Sequence, residues 1–338
     1  MAILVTGGGG YIGSQMAHEL LDAGERVVVL DDLSTGFRWA VPENAHFAAG
    51  DCGDQAFLTR LFREHGVEAI IHFAAFIVVP DSVRDPLRYY RNNTVNSRAL
   101  IESAIECGIR HFIFSSTAAV YGNPAAIPVD EDASTRPISP YGWSKLMTEI
   151  MLRDASRAHG LNHVILRYFN VAGADPQGRT GQSSAMATHL IKVAAETALR
   201  LRPKLEIFGN DYPTPDGTCI RDYIHVSDLA AAHALALQYL REGGAPLTLN
   251  CGYGHGFSVR EVIETVKRVA GVDFTVEDAP RRHSDPACIV AASRRIRDTL
   301  HWQPRFDDLS TIVAHALDWE RRLMTRFPRG ARNLAEIA

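Results

Sequence analysis

The sequence predicts an α/β fold: a doubly wound parallel sheet followed by a smaller, mixed α/β lobe at the C-terminal end. Three observations predict it. Apolar runs of strand length alternate with helix-length segments, a glycine-rich turn follows the first run, and the alternation loosens after about Gly173. Buried strands separated by helices are typical of a parallel sheet covered on both faces, which binds its ligand at the carboxyl ends of the strands.

The first element pair is a strand and a helix joined by four glycines in "ILVTGGGGYIG", residues 3–13. Glycine clusters suit a backbone that turns sharply or is approached closely, and a helix N-terminus at such a turn suits a pyrophosphate. Gly8, Gly10 and Gly13 fit GxGxxG, whereas Gly7, Gly10 and Gly13 fit GxxGxxG, so the register stays open. The alternative is a turn that only packs the helix closely on the strand.

The second strand, "RVVVLDD" at residues 26–32, includes an acidic side chain near its end. Asp31 lies near the offset of roughly 20 residues at which a carboxylate of a Rossmann-type fold meets the adenosine ribose 2′-OH. Because that carboxylate would repel a 2′-phosphate, Asp31 favours NAD over NADP, and nearby Arg38 is the feature that favours NADP. A solvated strand end is the alternative interpretation of Asp31.

The later strands are predicted from the same kind of apolar run, at residues 46–51, 69–75, 111–117, 164–170 and 247–252. Residues 258–271 predict a helix with one apolar stripe. We expect residues 1–175 to form the NAD-binding domain and residues 176–338 mainly the substrate lobe. Segments around 222–252 are expected to return to the first domain.

Composition argues against several classes of partner. A net charge of −4 over 338 residues does not favour nucleic acid or anionic membranes. Five scattered cysteines without metal-type spacing indicate reduced thiols, and His159 with His163, like His225 with His233, lacks a third ligand. The longest apolar run is too short to cross a bilayer, and a strand from residue 2 leaves no room for a signal peptide. We expect a cytoplasmic protein with no metal site.

Two reactive side chains lie at a predicted helix start in "SPYGWSKLMTE", residues 139–149. Ser139 is a candidate cap, Pro140 suits the first turn, and Tyr141 and Lys145 rise from one helix face. Lowering a tyrosine pKa from about 10 to about 7 requires about 4 kcal/mol, and an ammonium about 6 Å away supplies about 2.8 kcal/mol at an effective dielectric constant near 20. Tyr141 is therefore a candidate proton acceptor tuned by Lys145, unless both are ordinary surface residues.

Hydroxyl groups end the predicted strand at 111–117. Ser115, Ser116 and Thr117 lie where a parallel sheet binds its ligand, and buried polar groups need partners, of which a substrate oxygen is one. The blocks "TGGGGYIG", "FSSTAAVYG", "SPYGWSK" and "RYFNVAGA" occur in the order of the extended short-chain dehydrogenase/reductase superfamily, which the chain resembles. With "YYRNNTVNS", "IFGNDYPTPDGTCIRDYIHVSDLA" and "APRRHSDPA", nearly the whole chain resembles the UDP-glucose 4-epimerase family.

The resemblance implies three sets of site residues. The catalytic set is Thr117, Tyr141 and Lys145. Besides Tyr141 and Lys145, the NAD-binding set is Gly7, Gly10, Tyr11, Ile12, Gly13, Asp31, Asp32, Asp51, Cys52, Phe73, Ala74, Ala75, Asn92, Ser115 and Phe169. Besides Thr117 and Tyr141, the set for the UDP-sugar is Asn170, His189, Leu190, Phe208, Arg221, Arg282, Asp285 and Ile289. The chain departs from the family pattern at two positions. Ile77 replaces a common lysine, which leaves one contact with a cofactor phosphate open. His189 replaces a common asparagine, which leaves the contacts with the substrate diphosphate open.

The activity implied by the resemblance is C4 epimerisation of a UDP-hexose with tightly bound NAD, in a homodimer. Tyr141 would take the 4-hydroxyl proton while C4 passes a hydride to NAD⁺, and the 4-keto sugar would then turn and receive the hydride on its opposite face. A nucleotide-sugar dehydratase is a rival, but it usually places Asp-Glu where this chain has Ala118 and Ala119. A non-catalytic NAD-sensing protein is a rival of another class, in which the tyrosine or lysine would be lost.

The resemblance also gives an expectation about the sugar. Family members restricted to plain hexoses often carry a tyrosine where an ungapped alignment places Ile289, with Cys288 as the alternative if the loop is displaced by one residue. The smaller isoleucine leaves room for an acetamide at C2. We therefore expect UDP-glucose and UDP-galactose as substrates, and the UDP-N-acetylhexosamine pair as well. Which sugar is physiological stays open.

Overall fold

The computed structural model describes residues 1–184, 187–282 and 285–326. In these ranges the strands are β1 (Ala2–Thr6), β2 (Arg26–Asp31), β3 (His46–Ala49), β4 (Val67–His72), β5 (His111–Thr117), β6 (Asn162–Tyr168), β7 (Asn170–Ala172), β8 (Leu205–Phe208), β9 (Ile220–Arg221), β10 (Tyr223–His225), β11 (Leu247–Cys251), β12 (Phe257–Ser258), β13 (Val276–Ala279) and β14 (Cys288–Ile289). The helices are α1 (Tyr11–Asp22), α2 (Gln55–His65), α3 (Val79–Arg84), α4 (Pro86–Tyr89), α5 (Asn96–Glu106), α6 (Pro140–His159), α7 (Leu190–Ala198), α8 (Val226–Arg241), α9 (Val259–Ala270), α10 (Arg294–Leu300) and α11 (Leu309–Arg326).

Seven strands form one parallel sheet in the order β11-β6-β5-β4-β1-β2-β3. The chain runs outward from β1 to β3, then returns to β4 on the other side of β1 and runs outward again to β6. The strand order therefore reverses between β1 and β4, and ligands of such sheets bind outside the carboxyl ends of the strands at this point. The predicted Rossmann-type α/β fold is confirmed.

The strands are continuous apolar runs because both faces of the sheet are buried. Ile3, Val5 and Ile71 belong to a cluster that includes residues of α1 and α8. Their neighbours Leu4 and Ile70 belong to a second cluster, with residues of α2, α5 and α6. Since successive side chains of a strand point to opposite faces, a continuous apolar run fills both clusters.

The strand predictions are confirmed except at some ends. The strand at 111–117 agrees with β5, whereas β4 ends at His72, three residues before the predicted end. The backbone N–H of Phe73 then donates to Thr6 and starts the loop that meets the glycine turn. The prediction for 164–170 is wrong at its end, because β6 stops at Tyr168 and Asn170 begins β7, which pairs with β10 in a separate sheet.

The second half of the chain contributes to the first sheet. β11 pairs with β6, and α8 packs against α1. The remaining strands form three small sheets, with the orders β10-β7, β12-β9-β14 and β13-β8. The domain boundary near residue 175 stays a prediction.

Candidate active site

The glycine turn after β1 selects one of the two registers that the sequence allows. Gly7 has a φ of +70°, and a Cβ on Gly13 would lie 2.2 Å from the carbonyl oxygen of Gly7. Gly10 is the N-cap of α1 and donates to Gly7 at 3.1 Å. These positions favour the Gly7, Gly10, Gly13 register. No side chain caps α1 and its first turn has no acidic residue, so its N–H groups suit an anion.

Asp31, at the end of β2, braces the glycine turn. Its Oδ2 accepts from the N–H of Gly9 and its Oδ1 from the N–H of Leu33, both at 2.8 Å. The side chain is buried, and this burial raises the pKa of its carboxyl. Each carboxylate oxygen can accept a further bond, so a ribose hydroxyl fits here while a phosphate would be repelled. Asp32 is exposed and accepts instead from Ser34.

The loop after β4 closes on the same turn. The backbone N–H groups of Phe73 and Ala74 donate to Thr6, at 3.1 Å to its carbonyl and 3.3 Å to its hydroxyl. A Cβ on Gly7 would lie 2.7 Å from the nitrogen of Ala74. The structure therefore brings together the two chain segments that flank the reversal in strand order. Ala75 follows in this loop, while Ile77 is 52% exposed.

Other predicted cofactor residues follow β3 and lie in a π-helical turn. Asp51 accepts from the amide of Asn96 at 2.8 Å, and Cys52, beside it, is half-buried. Asn92 lies in the π-helical turn Tyr90–Val95 and donates to Asn93 at 3.0 Å. Such turns frequently occur at functional sites.

The predicted catalytic side chains meet where α6 crosses the end of β5. The Ser139 hydroxyl accepts from Gly142 at 3.2 Å, which confirms the predicted cap of α6. Burial raises the pKa of Tyr141 to about 12, and a hydrogen bond with Thr117 opposes this increase. Burial lowers the pKa of Lys145 to about 7. The Lys145 ammonium donates to the Ser115 carbonyl at 2.9 Å.

Tyr168 is a further candidate site residue, which the sequence patterns did not predict. Its hydroxyl shares a hydrogen bond with the hydroxyl of Ser115, beside the bond from Lys145. Burial raises the pKa of Tyr168, and so does the neighbouring Tyr141. Tyr168 is a polar residue at the end of the buried strand β6. The same feature at the end of β5 predicts Ser115, Ser116 and Thr117 as site residues, so it could also have identified Tyr168.

Five of the predicted substrate residues form two groups. Arg221 on β9 lies 3.6 Å from Asp285 and pairs in register with Ile289 on β14. The guanidinium of Arg282 lies 3.8 Å from the ring centre of Phe208.

A buried apolar cluster joins the substrate lobe to the catalytic strand. It contains Ile289 together with Ala118, which follows Thr117, and Phe169, which precedes Asn170. Ile289 is 6% exposed, whereas Cys288 is half-buried. The strand that carries Arg221 is thus connected through Ile289 to the end of β5.

His189 and Leu190 lie at the N-terminus of α7. His189 is its N-cap residue, and Nδ1 of that histidine is 2.9 Å from the amide nitrogen of Gln182. Burial, and then Lys192, lower the pKa of His189. The contact of these two residues with a diphosphate stays a prediction.

The residues that the structure describes contain no group of three or more His, Cys, Asp and Glu side chains that could hold a metal ion. Their helices include none that is both long and apolar enough to cross a membrane.

Comparisons with known proteins agree over nearly the whole chain. Residues 3–252 match the NAD dependent epimerase/dehydratase family. A UDP-glucose 4-epimerase from Azospirillum brasilense is 59% identical over 95% of this chain and 92% of its own. The crystal structure of the Brucella ovis UDP-glucose 4-epimerase in complex with NAD has a TM-score of 0.91 at 42% identity, covering 94% of this chain and 97% of that one. The UDP-Glc/GlcNAc 4-epimerase from Campylobacter jejuni has a TM-score of 0.83 at 50% identity, covering 95% and 99%.

Proposed function

Because the chain belongs to the NAD dependent epimerase/dehydratase family, we propose that it interconverts UDP-glucose and UDP-galactose by inverting C4 of the hexose. The observation that carries this proposal is the meeting of Tyr141 and Lys145 on α6 with Thr117 and Ser115 on β5. This group lies at the carboxyl edge of the sheet that also holds the glycine turn.

The chain's own residues fit NAD. The glycine turn leaves no room for a Cβ at Gly7 or Gly13, and the uncapped start of α1 suits the pyrophosphate. Asp31 suits an unphosphorylated ribose and disfavours NADP. When bound, the cofactor supplies a reversible hydride acceptor for C4 and a positively charged ring.

Tyr141 is assigned as the proton acceptor for the 4-hydroxyl. Its buried hydroxyl has a pKa of about 12, so it needs nearby positive charge to lose a proton near neutral pH. Lys145 is assigned to provide part of that charge and to bind the nicotinamide ribose. Thr117 donates a hydrogen bond to the developing oxygen at C4.

Four of the predicted substrate residues are assigned to the nucleotide rather than to the sugar. Arg221 and Arg282 suit the diphosphate because guanidinium groups pair bidentately with phosphate oxygens. The guanidinium of Arg282 lies over the ring of Phe208, 3.8 Å from the ring centre, and is supported by it. Asp285 lies 3.6 Å from Arg221 and orients that side chain. The sugar must present both faces of C4, so binding energy directed at the nucleotide leaves it free to turn.

The two rival functions lack support from the site. A dehydratase needs a further acid/base pair to eliminate water, but Ala118 and Ala119 follow Thr117, and alanine cannot transfer a proton. A non-catalytic NAD-sensing protein does not require the buried Tyr141 and Lys145 beside Thr117, and both side chains are present.

The test is to incubate the purified protein with UDP-galactose without added NAD and to identify the products. We expect UDP-glucose to form, and NAD to be released when the protein is denatured. A product lacking water would favour the dehydratase. Absence of turnover in protein that retains NAD would favour the sensor.

The UDP-N-acetylhexosamine pair is a second candidate substrate. Ile289 is much smaller than tyrosine and is packed beside Ala118, near Thr117. A relative of 50% identity is described as a UDP-Glc/GlcNAc 4-epimerase. We therefore propose that the pocket also accepts an acetamide at C2.

A second copy of the chain is proposed to cover an apolar stripe on α6, giving a homodimer. Trp143, Met147 and Ile150 lie at helical spacing and are 42%, 38% and 46% exposed. Val95, next to α5, and Leu87 on α4 are also exposed. Large exposed apolar patches mark interaction surfaces, and twofold symmetry lets one patch meet itself.

Light scattering after size-exclusion chromatography tests the dimer. The wild-type mass should be twice 37.2 kDa, and Trp143→Asp with Met147→Asp should reduce it to that of one chain. A wild-type mass of one chain would contradict the dimer.

A cytoplasmic location is also proposed. Its support is that all five cysteines are free, as is usual for chains in a reducing compartment. Fractionation of the native cells should place the protein with cytoplasmic markers.

A further inference from the structure

A buried polar cluster lies directly behind the candidate catalytic residues. Its centre is the carboxylate of Glu149 on α6, which is fully buried. Glu149 accepts from the Ser116 hydroxyl at 2.6 Å and from Arg167 at 2.9 Å and 2.6 Å. Arg153 adds a further bond at 2.7 Å from the helix surface. The roles assigned above to Tyr141, Lys145 and Thr117 do not use these residues.

Glu149 completes a series of contacts between α6 and the last three residues of β5. Lys145 donates to the carbonyl of Ser115 at 2.9 Å, and Glu149 accepts from the hydroxyl of Ser116 at 2.6 Å. Tyr141 faces Thr117, whose hydrogen bond lowers the pKa of the tyrosine. The three helix residues are spaced by four and so share a helix face. The Glu149 contact therefore fixes how α6 lies along β5.

Arg167 holds the carboxylate that makes this contact. Ser116 and Arg167 are direct partners in the β5–β6 ladder, so both side chains reach Glu149 from one face of the sheet. Two parallel bonds from the Arg167 guanidinium set the orientation of the carboxylate as well as its distance.

The Arg167 guanidinium is also hydrogen-bonded on the side away from Glu149. Its Nη1 donates to the Tyr121 hydroxyl at 3.0 Å and to the Glu131 carbonyl at 3.2 Å. The Tyr121 hydroxyl in turn donates to Asn250 of β11 at 2.6 Å. The cluster thus connects α6 with three adjacent strands of the sheet.

Stability alone does not account for this arrangement. The desolvation of a buried ion pair offsets much of its attraction, and apolar residues of similar volume often stabilise a fold as well or better. A displacement of about 1 Å at a catalytic group can lower a rate about 100-fold, so fixing α6 on β5 has a direct functional value. We infer that Glu149 is a positioning residue, which acts through Ser116 and Arg167 to hold Tyr141 and Lys145 in register with Thr117 and Ser115. This inference rests on the proposed epimerase function.

The test removes the contact without breaking the ion pair. Ser116→Ala should lower kcat for UDP-galactose about 10–100-fold while KM and the Kd for UDP stay within about twofold. The matched control is Ser103→Ala, since Ser103 is also fully buried and its hydroxyl has no hydrogen-bond partner within the described structure. The control should keep the wild-type kcat.

A double variant tests whether Ser116 acts through Glu149. Glu149→Gln should also lower kcat, and Ser116→Ala added to it should cause little further loss, because both changes remove one contact. If Glu149→Gln does not fold, the comparison of Ser116→Ala with Ser103→Ala decides alone. Equal kcat in those two variants, a loss confined to KM, or additive losses in the double variant would overturn the inference. An inactive wild-type protein would contradict the proposed function instead.

Discussion

Burial moves the pKa values of the two candidate catalytic side chains in opposite directions. It raises the pKa of Tyr141 to about 12 and lowers that of Lys145 to about 7, because water solvates the charged form of each group better than the protein does. Lys145 also directs its ammonium to the Ser115 carbonyl. The spacing of the two residues predicts that Lys145 has the larger influence on the pKa of Tyr141, whereas burial of the tyrosine hydroxyl is the larger effect in the structure.

Replacement of the proton acceptor tests its role. Tyr141→Phe should lower kcat about 10²–10⁴-fold, because phenylalanine cannot accept the 4-hydroxyl proton. UDP should still bind, as measured by calorimetry. Tyr239→Phe is the control, since the Tyr239 hydroxyl contacts only the exposed carbonyl of Ala245 among the bonds described. Full activity of Tyr141→Phe would remove Tyr141 from the mechanism.

Sugar selectivity can be tested at two neighbouring positions. Ile289→Tyr should lower kcat/KM for UDP-N-acetylgalactosamine about tenfold or more relative to UDP-galactose, because a steric clash affects only the larger sugar. Cys288→Tyr is the matched variant, since the side chains of adjacent strand residues point to opposite faces. If only Cys288→Tyr lowers kcat/KM selectively for the N-acetyl sugar, position 288 and not position 289 limits the size of the sugar. Equal losses of kcat/KM on both sugars in both variants would show that neither position selects against the acetamide.

At the scale of elements, two local signals position the site. The glycine turn brings α1 against the end of β1, and the Ser139 cap starts α6 so that Tyr141 lies in its first turn. Both signals are local in the sequence, and the structure has both turns where they were predicted. A Cβ on Gly13 would meet backbone atoms of Gly7 and Gly8, and not a flexible side chain that could move away.

Gly13→Ala should therefore damage the turn severely. The new Cβ would lie 2.2 Å from the Gly7 oxygen, so α1 must move away from β1. We expect loss of retained NAD and a lower free energy of unfolding. Gly66→Ala is the control, because Gly66 has a φ of +61° but no atom near the new Cβ, so it should cost only about 1 kcal/mol and retain NAD. Equal effects of the two variants on NAD would contradict the close approach.

Sequence patterns predicted those parts of the fold that depend on near neighbours. Apolar runs gave the strands, and Asp31 and Lys145 were found from their distance to neighbouring motifs. Partners distant in the chain were beyond such patterns. Glu149 shows why: it lies in an ordinary helix sequence, and only the fold brings Ser116 and Arg167 to its carboxylate. The end of β6 was mispredicted for the same reason, because the Asn170 N–H donates to Asp222, 52 residues further on.

For the whole molecule, buried histidines link stability to pH. Burial lowers the pKa of His72 and His225 to about 3, and that of His163 and His233 to about 4. In the unfolded chain a histidine has a pKa near 6.5, so the unfolded state binds more protons below that value. The free energy of unfolding should then fall as pH falls from about 6.5 towards 4.

Urea unfolding at pH 7 and pH 5 measures this loss. Each buried histidine is expected to contribute about 1–2 kcal/mol to the difference between the two pH values. His233→Leu should reduce the difference by about that amount, since the His233 ring donates to its own helix at Leu229 and the change leaves no other buried group unpaired. An unchanged difference in His233→Leu would contradict the assignment.

The position of β11 in the sheet has a consequence for synthesis. β6 ends at Tyr168 and its edge partner begins at Leu247, so 78 residues separate them. At about 5–20 residues per second, the ribosome needs roughly 4–16 s to make that segment. During this time the nascent chain presents an open strand edge, which is prone to pair with other chains. Polysomes carrying chains stalled before residue 247 should therefore recruit more chaperone than those carrying chains stalled well beyond residue 251.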